Sequence, residues 1–108
     1  MKIAVTFENG DIFQHFGHTE QFKIYETADG EVLNSEVVST MGSGHGALAG
    51  FLQEHGADTL ICGGIGAGAQ EALKEAGITL YGGVSGSADQ AVEDLLKNEL
   101  SYDENVMC

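Results

Sequence analysis

Two histidines three residues apart, His15 and His18, are the first residues in the sequence that suggest chemistry. They lie in the stretch ENGDIFQHFGHTEQF, residues 8–22, and their spacing lets both imidazoles leave one side of a single turn. Imidazole is a good ligand for zinc, copper and iron. A His-x-x-His pair is not specific by itself, however, and the alternative is a loop anchored by Phe13 and Phe16 whose histidines face solvent.

Glycine-rich segments form the second group of candidate site residues. The sequences MGSGHGALAG, CGGIGAGA and YGGVSGSA each follow a strand-like run and precede a helix-like run. Turns of this kind expose backbone N–H groups at a helix N-terminus, which favours anion binding. The first segment contains His45 and the second contains Gly63, Gly64 and Gly66. The alternative is that these glycines only form tight turns.

Known nucleotide motifs do not account for the glycines. Gly64, Gly66 and Ala69 match a loose dinucleotide pattern, but the acidic residue expected about 20 positions later is missing. No Gly-Lys-Ser/Thr sequence of a phosphate loop is present. An anion without a ribose fits the pattern better than a nucleotide.

Charge and cysteine content limit the class of partner and the compartment. The chain has 108 residues and a formal net charge of −13, which opposes binding to nucleic acid or to an anionic membrane. The first residues, MKIAVTF, enter a strand-like run without a secretory segment, so a cytoplasmic protein with reduced Cys62 and Cys108 is expected. Cys62 ends an apolar strand, where a free cysteine usually acts as a small hydrophobic side chain.

Hydrophobic periodicity predicts an alternating α/β chain. Asp29-Gly30 is typical of a hairpin turn and makes the second and third strands antiparallel. Ser87 is the expected N-cap of the last helix. The predicted strands are residues 2–7, 21–26, 31–39, 58–62 and 78–81, and the predicted helices are residues 48–55, 69–76 and 88–96.

Helix crossovers join parallel strands and cover both faces of a sheet. The sequence therefore predicts one three-layer α/β/α domain over residues 1–108, with 101–108 a flexible tail. Its mixed five-stranded sheet has the order 3-2-1-4-5, with strand 2 antiparallel. Ligands of open α/β sheets bind at the carboxyl ends of the strands. His15, His18, His45 and Cys62 should gather there, and His55 should not.

Three segments together resemble the dinitrogenase iron–molybdenum cofactor biosynthesis family. They are MKIAVTFENGDIFQHFGHTEQFKIYE, GGIGAGAQEALKEAGITLYGG and the glycine loop with His45. The family includes relatives of the nitrogenase cofactor carriers and of the molybdenum–copper orange protein, and the resemblance covers residues 1–100. It implies a ribonuclease-H-like fold and binding of metal–sulfur clusters without catalysis.

Site residues follow from the resemblance by position. His15, Phe16 and Gly17 match the HFG motif of the family, and Gly63 to Gly66 match its glycine loop. His18 stands where many members carry an arginine, so the chain departs from the family pattern there. The predicted cluster-binding residues are His15, Phe16, Gly17, His45, Gly63, Gly64 and Gly66, and the predicted metal ligands are His15, His18 and His45.

The functional prediction is a cytoplasmic binding or carrier protein for a metal–sulfur cluster of iron, molybdenum or molybdenum and copper. Its expected role is non-catalytic and resembles that of a nitrogenase accessory protein, with a cluster-donor or cluster-acceptor protein as partner. The net charge of −13 opposes an anionic cluster, so a locally positive loop edge is required. Two alternatives stay open: a protein-interaction module without metal, and an enzyme that binds small phosphates through the glycine-rich loops.

Overall fold

The computed structural model describes residues 1–40, 45–104 and 106, and for His45 and Gly46 it describes the backbone alone. A 3₁₀ turn, Phe16–His18, follows the second strand. The strands are β1 (Lys2–Glu8), β2 (Asp11–Ile12), β3 (Gln21–Ala28), β4 (Glu31–Ser39), β5 (Thr59–Ile61) and β6 (Thr79–Tyr81), and the helices are α1 (His45–Glu54), α2 (Ala67–Glu75) and α3 (Ala88–Leu96).

A single mixed sheet organises the domain. Its order is β4-β3-β1-β5-β6; β1, β3 and β4 pair antiparallel, while β5 is parallel to β1 and to β6. β4, β3, β1, β5 and β6 correspond to the predicted strands 3, 2, 1, 4 and 5. The predicted mixed α/β sheet is confirmed, but the prediction of five strands was wrong. The sixth strand, β2, pairs with β1 and has two residues, which is too short to show a period.

The helices cover both faces of the sheet because alternate strand residues point to opposite sides. On one face, Leu48 and Leu52 of α1 and Leu73 of α2 are fully buried against Ala4, Ile24 and Leu60 of the sheet. On the other face, Ala88 and Val92 of α3 pack against Ile3, Val5 and Ile61. Burial of one such leucine or valine side chain contributes about 1.5–3 kcal/mol.

Glycines end the first two helices, as the sequence predicts. Gly56 and Gly77 follow α1 and α2 with φ of +73° and +76°, in the left-handed region that glycine adopts without strain. After α2, Gly77 N donates to Lys74 O at 3.1 Å and Ile78 N donates to Leu73 O at 3.0 Å. These two bonds form a Schellman motif and satisfy the last carbonyls of the helix.

The C-terminal residues that the structure describes pack against the domain. Val106 is 8% exposed, and its carbonyl accepts a 2.7 Å hydrogen bond from Gln70 Nε2. The ring of Tyr102 contacts the ring of Tyr81 edge-on, with centroids 4.8 Å apart. Tyr102 and Val106 thus contact the domain within the segment predicted as a flexible tail, and the flexibility of that segment stays a prediction.

No helix within residues 1–40, 45–104 and 106 is long and apolar enough to cross a membrane.

Candidate functional site

The carboxyl edge of the parallel strands is where the predicted site residues converge. β3 is antiparallel to both of its neighbours, so β4 runs parallel to β1, β5 and β6. α1, α2 and α3 follow β4, β5 and β6, and the 3₁₀ turn follows β1 and β2. All four therefore begin at this edge. α1 contacts both the 3₁₀ turn and α2. The chain segments that carry His15, Gly64 and the first residue of α1 are thus brought to one side of the molecule.

Phe16 anchors the HFG segment on the core. It is 1% exposed and lies in the same buried cluster as Leu48 of α1 and Ile65 of the glycine loop. Its ring lies 6.2 Å from that of Phe22, measured between centroids. His15 and His18, on either side of it, are exposed. The buried ring therefore holds the 3₁₀ turn in place while both imidazoles remain at the surface.

Backbone hydrogen bonds attach the HFG segment to the glycine loop. Gly64 N donates to Gln14 O at 2.7 Å, and Phe16 N donates to Gly64 O at 3.0 Å. This pair of bonds forms a parallel bridge between His15 and Gly64. The bridge continues the pairing beyond the end of β5, and it places the two most distinctive sequence motifs side by side.

Gly63 is required for close packing in this bridge. A Cβ atom at Gly63 would lie 2.5 Å from Oε1 and 2.7 Å from Cα of Gln14, so only glycine fits. Its carbonyl accepts a 2.8 Å hydrogen bond from Gly83 N. The Gly64 N–H is also used, by Gln14 O. Gly63 and Gly64 therefore join loops to one another, and the Gly64 N–H is not available to an anion.

The start of α2 is the open part of the glycine loop. Gly66 is the N-cap residue, and no side chain within residues 1–40, 47–104 and 106 caps the helix. Among the residues that the structure describes, none lies within 4 Å of a Cβ atom placed at Gly66 or Gly68, and Ala67 and Gly68 are exposed. The first N–H groups of a helix have no intrahelical partner and carry the positive end of the helix dipole. The first turn of α2 also contains no acidic residue.

The two histidines of the 3₁₀ turn line separate depressions. His18 lines a cavity of about 270 Å³ with Phe7, Glu8, Glu20 and Gln21. His15 lies in a neighbouring, more open depression that also includes Asp11 and Gln14. Glu8 lines both depressions, so each contains two carboxylates, which are unfavourable for an anion. Within the described ranges, no group of three or more His, Cys, Asp or Glu residues is arranged to hold a metal ion.

The remaining candidates fall in three different places. His45 is the first residue of α1, so its backbone is at the predicted edge, but its side chain lies outside the described residues. Cys62 is fully buried in the core, and its thiol lies 3.7 Å from Gly63 O. The expectation that Cys62 joins the histidines was wrong, because its side chain points into the layer under α1 and α2. His55 follows the C-terminus of α1 and stacks on Phe51, away from the edge.

Two glutamines that the sequence analysis missed organise the site. Gln14 Nε2 donates to Ile12 O and to Val84 O, at 3.0 Å each, which ties the loop after β2 to the loop after β6. Gln70 Nε2 donates to Ile65 O at 2.9 Å and to Val106 O at 2.7 Å. Glutamine is common on protein surfaces and neither residue belongs to a sequence motif. Only the tertiary structure therefore shows that each side chain joins two separate backbone segments.

The strongest electrostatic perturbation lies on the α3 face of the sheet. Asp89 Oδ1 accepts hydrogen bonds from Lys23 Nζ at 2.8 Å and from the Tyr25 hydroxyl at 2.6 Å. These bonds lower the pKa of Asp89, chiefly through Lys23. Burial, together with the Asp89 carboxylate, raises the pKa of Tyr25 well above its usual range. The network attaches the start of α3 to β3.

Comparison with known proteins agrees with this arrangement. A relative in Methanocaldococcus jannaschii, the uncharacterised protein MJ0580, is 32% identical over 105 residues, which cover 93% of this chain and 89% of the relative. The crystal structure of the protein PH0822 is similar with a TM-score of 0.91 and 29% identity, covering 97% of this chain and 96% of that one.

A second solved structure and a family match complete the comparison. The apo form of the orange protein from Desulfovibrio gigas has a TM-score of 0.81 and 27% identity, covering 99% of this chain and 96% of that one. The sequence model of the family described as dinitrogenase iron-molybdenum cofactor matches residues 1–98. This match includes the HFG segment, the glycine loop and all three helices, and the chain belongs to the dinitrogenase iron-molybdenum cofactor family.

Proposed function

We propose that this protein binds and carries a preassembled metal–sulfur cluster at the carboxyl edge of its sheet. The observation that carries the proposal is the open N-terminus of α2 beside the His15–Gly64 bridge. Exposed N–H groups of a helix start favour an anionic ligand, and a thiometallate cluster is anionic. His15, whose backbone is bridged to Gly64 two residues before the N-cap of α2, supplies an imidazole donor.

A preassembled cluster fits the available donors better than a bare metal ion. A bare ion needs three or four protein ligands around it, and the described residues offer no such group. A cluster already contains its own sulfides, so its host has to supply hydrogen bonds, few ligands and shelter. Membership of the family and the similarity to the orange protein support the same class of ligand.

Local charge favours the starts of α1 and α2 over the start of α3 as an anion site. The chain as a whole carries −13, but the first turn of α2 lacks acidic residues, whereas the first turn of α3 contains Asp89. Carboxylates lie beside both histidines, Glu8 and Glu20 near His18 and Glu8 and Asp11 near His15, so the backbone bridge to Gly64, and not local charge, favours His15. We therefore assign His15 and the start of α2 as the primary contacts, with His45 as a further ligand from the start of α1.

The proposed role is transport of the cluster, without catalysis, in the cytoplasm. The cluster is cargo containing iron, molybdenum, or molybdenum and copper, and it is received from or passed to another protein of a cofactor-assembly process. The sheet order, with β3 antiparallel between β4 and β1, supports the ribonuclease-H-like fold that the family resemblance implies.

The test is anaerobic reconstitution followed by desalting, visible absorption and metal analysis. One sample receives tetrathiomolybdate and copper, and another receives iron and sulfide. We expect a stoichiometric chromophore with one of these mixtures. His15→Ala should reduce its retention about tenfold or more, which corresponds to about 1.4 kcal/mol of binding free energy.

His55→Ala is the matched control, because it removes the same side chain at the far end of α1. Equal losses in His15→Ala and His55→Ala would contradict the assigned site. No retained metal from either mixture would contradict the carrier function. A saturating thermal shift with inorganic phosphate alone would then favour the small-phosphate alternative at the same helix start.

A further inference from the structure

The C-terminal residues that follow the family-matched region contact the loop after β6 and the side chain of Gln70 in α2. These residues, 102–104 and 106, are called the C-terminal strap. They lie beyond residues 1–98, which the family match covers. Chain ends are usually poorly ordered unless specific contacts hold them. The contacts of the strap are therefore informative about its role.

Two successive glycines provide room for the strap. A Cβ atom at Gly82 would overlap Cγ1 of Val106, and one at Gly83 would lie 2.7 Å from Cβ of Asp103. Asp103 N also donates a 2.8 Å hydrogen bond to Gly82 O. The strap thus occupies a space that exists only because residues 82 and 83 have no side chains.

The strap is coupled to the glycine loop by two routes. Gln70 Nε2 bonds both Val106 O and Ile65 O, so one amide group joins the strap to the residue between Gly64 and Gly66. In the second route, Gly83 N donates to Gly63 O at 2.8 Å, and the side chain of Val106 packs on the neighbouring Gly82. The loop 63–66 is therefore held between the His15 segment on one side and the strap on the other.

We propose that the C-terminal strap holds the glycine loop in its ligand-facing conformation and thereby slows release of a bound cluster. The first part concerns the protein without ligand, and the second part rests on the proposed function. When the strap loses its contacts with Gly82 and Gln70, the loop 63–66 loses the restraint that these contacts provide. The start of α2 can then move relative to His15. Gln70 is a positioning residue in this scheme, since it acts on the loop and not on the cluster.

Hydrogen exchange of the full-length protein without ligand tests the first part. The reporting amides are those of Gly64 and Gly83, with Asp103 reporting on the strap itself. Val106→Ala removes the side chain that packs over Gly82, and Gly82→Ala pushes it away. We expect each change to speed exchange at the three amides about tenfold or more. The double variant Gly82→Ala/Val106→Ala should recover most of the protection, because the added methyl group fills the vacated space.

Val32→Ala is the matched control, since it makes the same change at an exposed valine of β4. It should leave the three amides unchanged. If Gly82→Ala does not fold, Gln70→Glu gives the same test, because it replaces the shared donor with a carboxylate facing two carbonyls. Unchanged exchange at Gly64 and Gly83 in Val106→Ala and in Gln70→Glu would overturn the proposal.

Cluster release tests the second part. Protein loaded with tetrathiomolybdate and copper should lose its chromophore about tenfold faster in Val106→Ala than in Val32→Ala. Equal release rates would overturn this part. If the wild-type protein retains no chromophore while exchange is accelerated in the variants, the carrier function and the release role fail and the structural role of the strap stands.

Discussion

Two loops of this protein have the same sequence pattern but lead into helix starts of different kinds. CGGI at residues 62–65 follows β5, and YGGV at residues 81–84 follows β6. In both, an inner glycine is in tight contact with another segment: Gly63 with Gln14, and Gly82 with Val106. The similarity ends where the following helices begin.

The helix after the second loop is closed by its own residues. The Ser87 side chain caps α3 by accepting a 3.2 Å hydrogen bond from Gln90 N, and Asp89 lies in the first turn. Ala88 N donates to Gly10 O at 3.0 Å. The first turn of α2 contains no carboxylate, and no side chain in the described part of the chain caps it. The comparison teaches that a glycine pair after a strand serves packing, while the two or three residues after it decide whether the helix start is open to a ligand.

The largest effect is expected from adding a methyl group to the packed glycine. Gly63→Ala should lower the free energy of unfolding by about 2–3 kcal/mol, because the Cβ atom would meet the backbone of Gln14. Gly68→Ala, in open space within α2, should instead raise it by up to about 1 kcal/mol. Urea unfolding of both variants measures the difference. Equal effects would show that the loop relaxes around the added methyl group.

A carboxylate placed at the open helix start should separate stability from binding. Ala67→Glu puts a negative charge at the first position of α2, which should raise helix stability by about 0.5 kcal/mol through the helix dipole. The same charge should lower retention of an anionic cluster about tenfold, or about 1.4 kcal/mol. Thermal unfolding and metal analysis after reconstitution measure the two effects. Ala67→Gln is the uncharged control, and unchanged retention in Ala67→Glu would place the cluster elsewhere.

Removing the N-cap of α3, or adding an N-cap to α2, should change the free energy of unfolding less than Gly63→Ala does. Ser87→Ala removes the cap of α3 and should cost about 1 kcal/mol of stability while leaving cluster retention unchanged. Gly66→Ser introduces a cap at α2 and should gain only a few tenths of a kcal/mol. Its hydroxyl competes for the helix N–H groups, so cluster retention should fall. Loss of retention in Ser87→Ala would mean that the start of α3 also contributes to the site.

The smallest effect is the pH dependence of the Asp89 network. Because the pKa of Asp89 is lowered on folding, its contribution to stability is present above about pH 4 and is lost as the pH falls towards the lowered value. The contribution is small since the Asp89 side chain is 69% exposed and salt screens it. Unfolding of wild type and Asp89→Asn should differ most at neutral pH and low salt, and converge in acid. Glu93→Gln, an exposed change on the same helix, is the control.

Much of the fold was predictable because it depends on local patterns. Alternation of apolar residues identified the long strands, and the capping residue Ser87 and the terminating glycines Gly56 and Gly77 identified helix ends. The two-residue strand β2 and the packed C-terminal strap were missed. Neither is long enough to show a period. β2 pairs with the adjacent β1 across the Asn9-Gly10 turn, whereas the strap is held by residues distant in sequence, such as Gln70.

The candidate site was predictable in its location and not in its details. The order of the strands placed His15 and the glycine loop at one edge, and the structure joins them through the His15–Gly64 bridge. Cys62 was expected there as well, but the pleat of β5 directs it into the core. The two histidines three residues apart line different depressions, which spacing along the chain does not reveal.

The sequence by itself determined the alternation of strands and helices, the negative charge and the family, since these depend on residue type and local order. Only the tertiary structure decided which glycine N–H groups are used and which helix start is open. Hydrogen bonds such as Gly64 N to Gln14 O and Gln70 Nε2 to Val106 O join residues 50 and 36 positions apart. Their existence depends on how the loops pack at the sheet edge, and no local pattern encodes that packing.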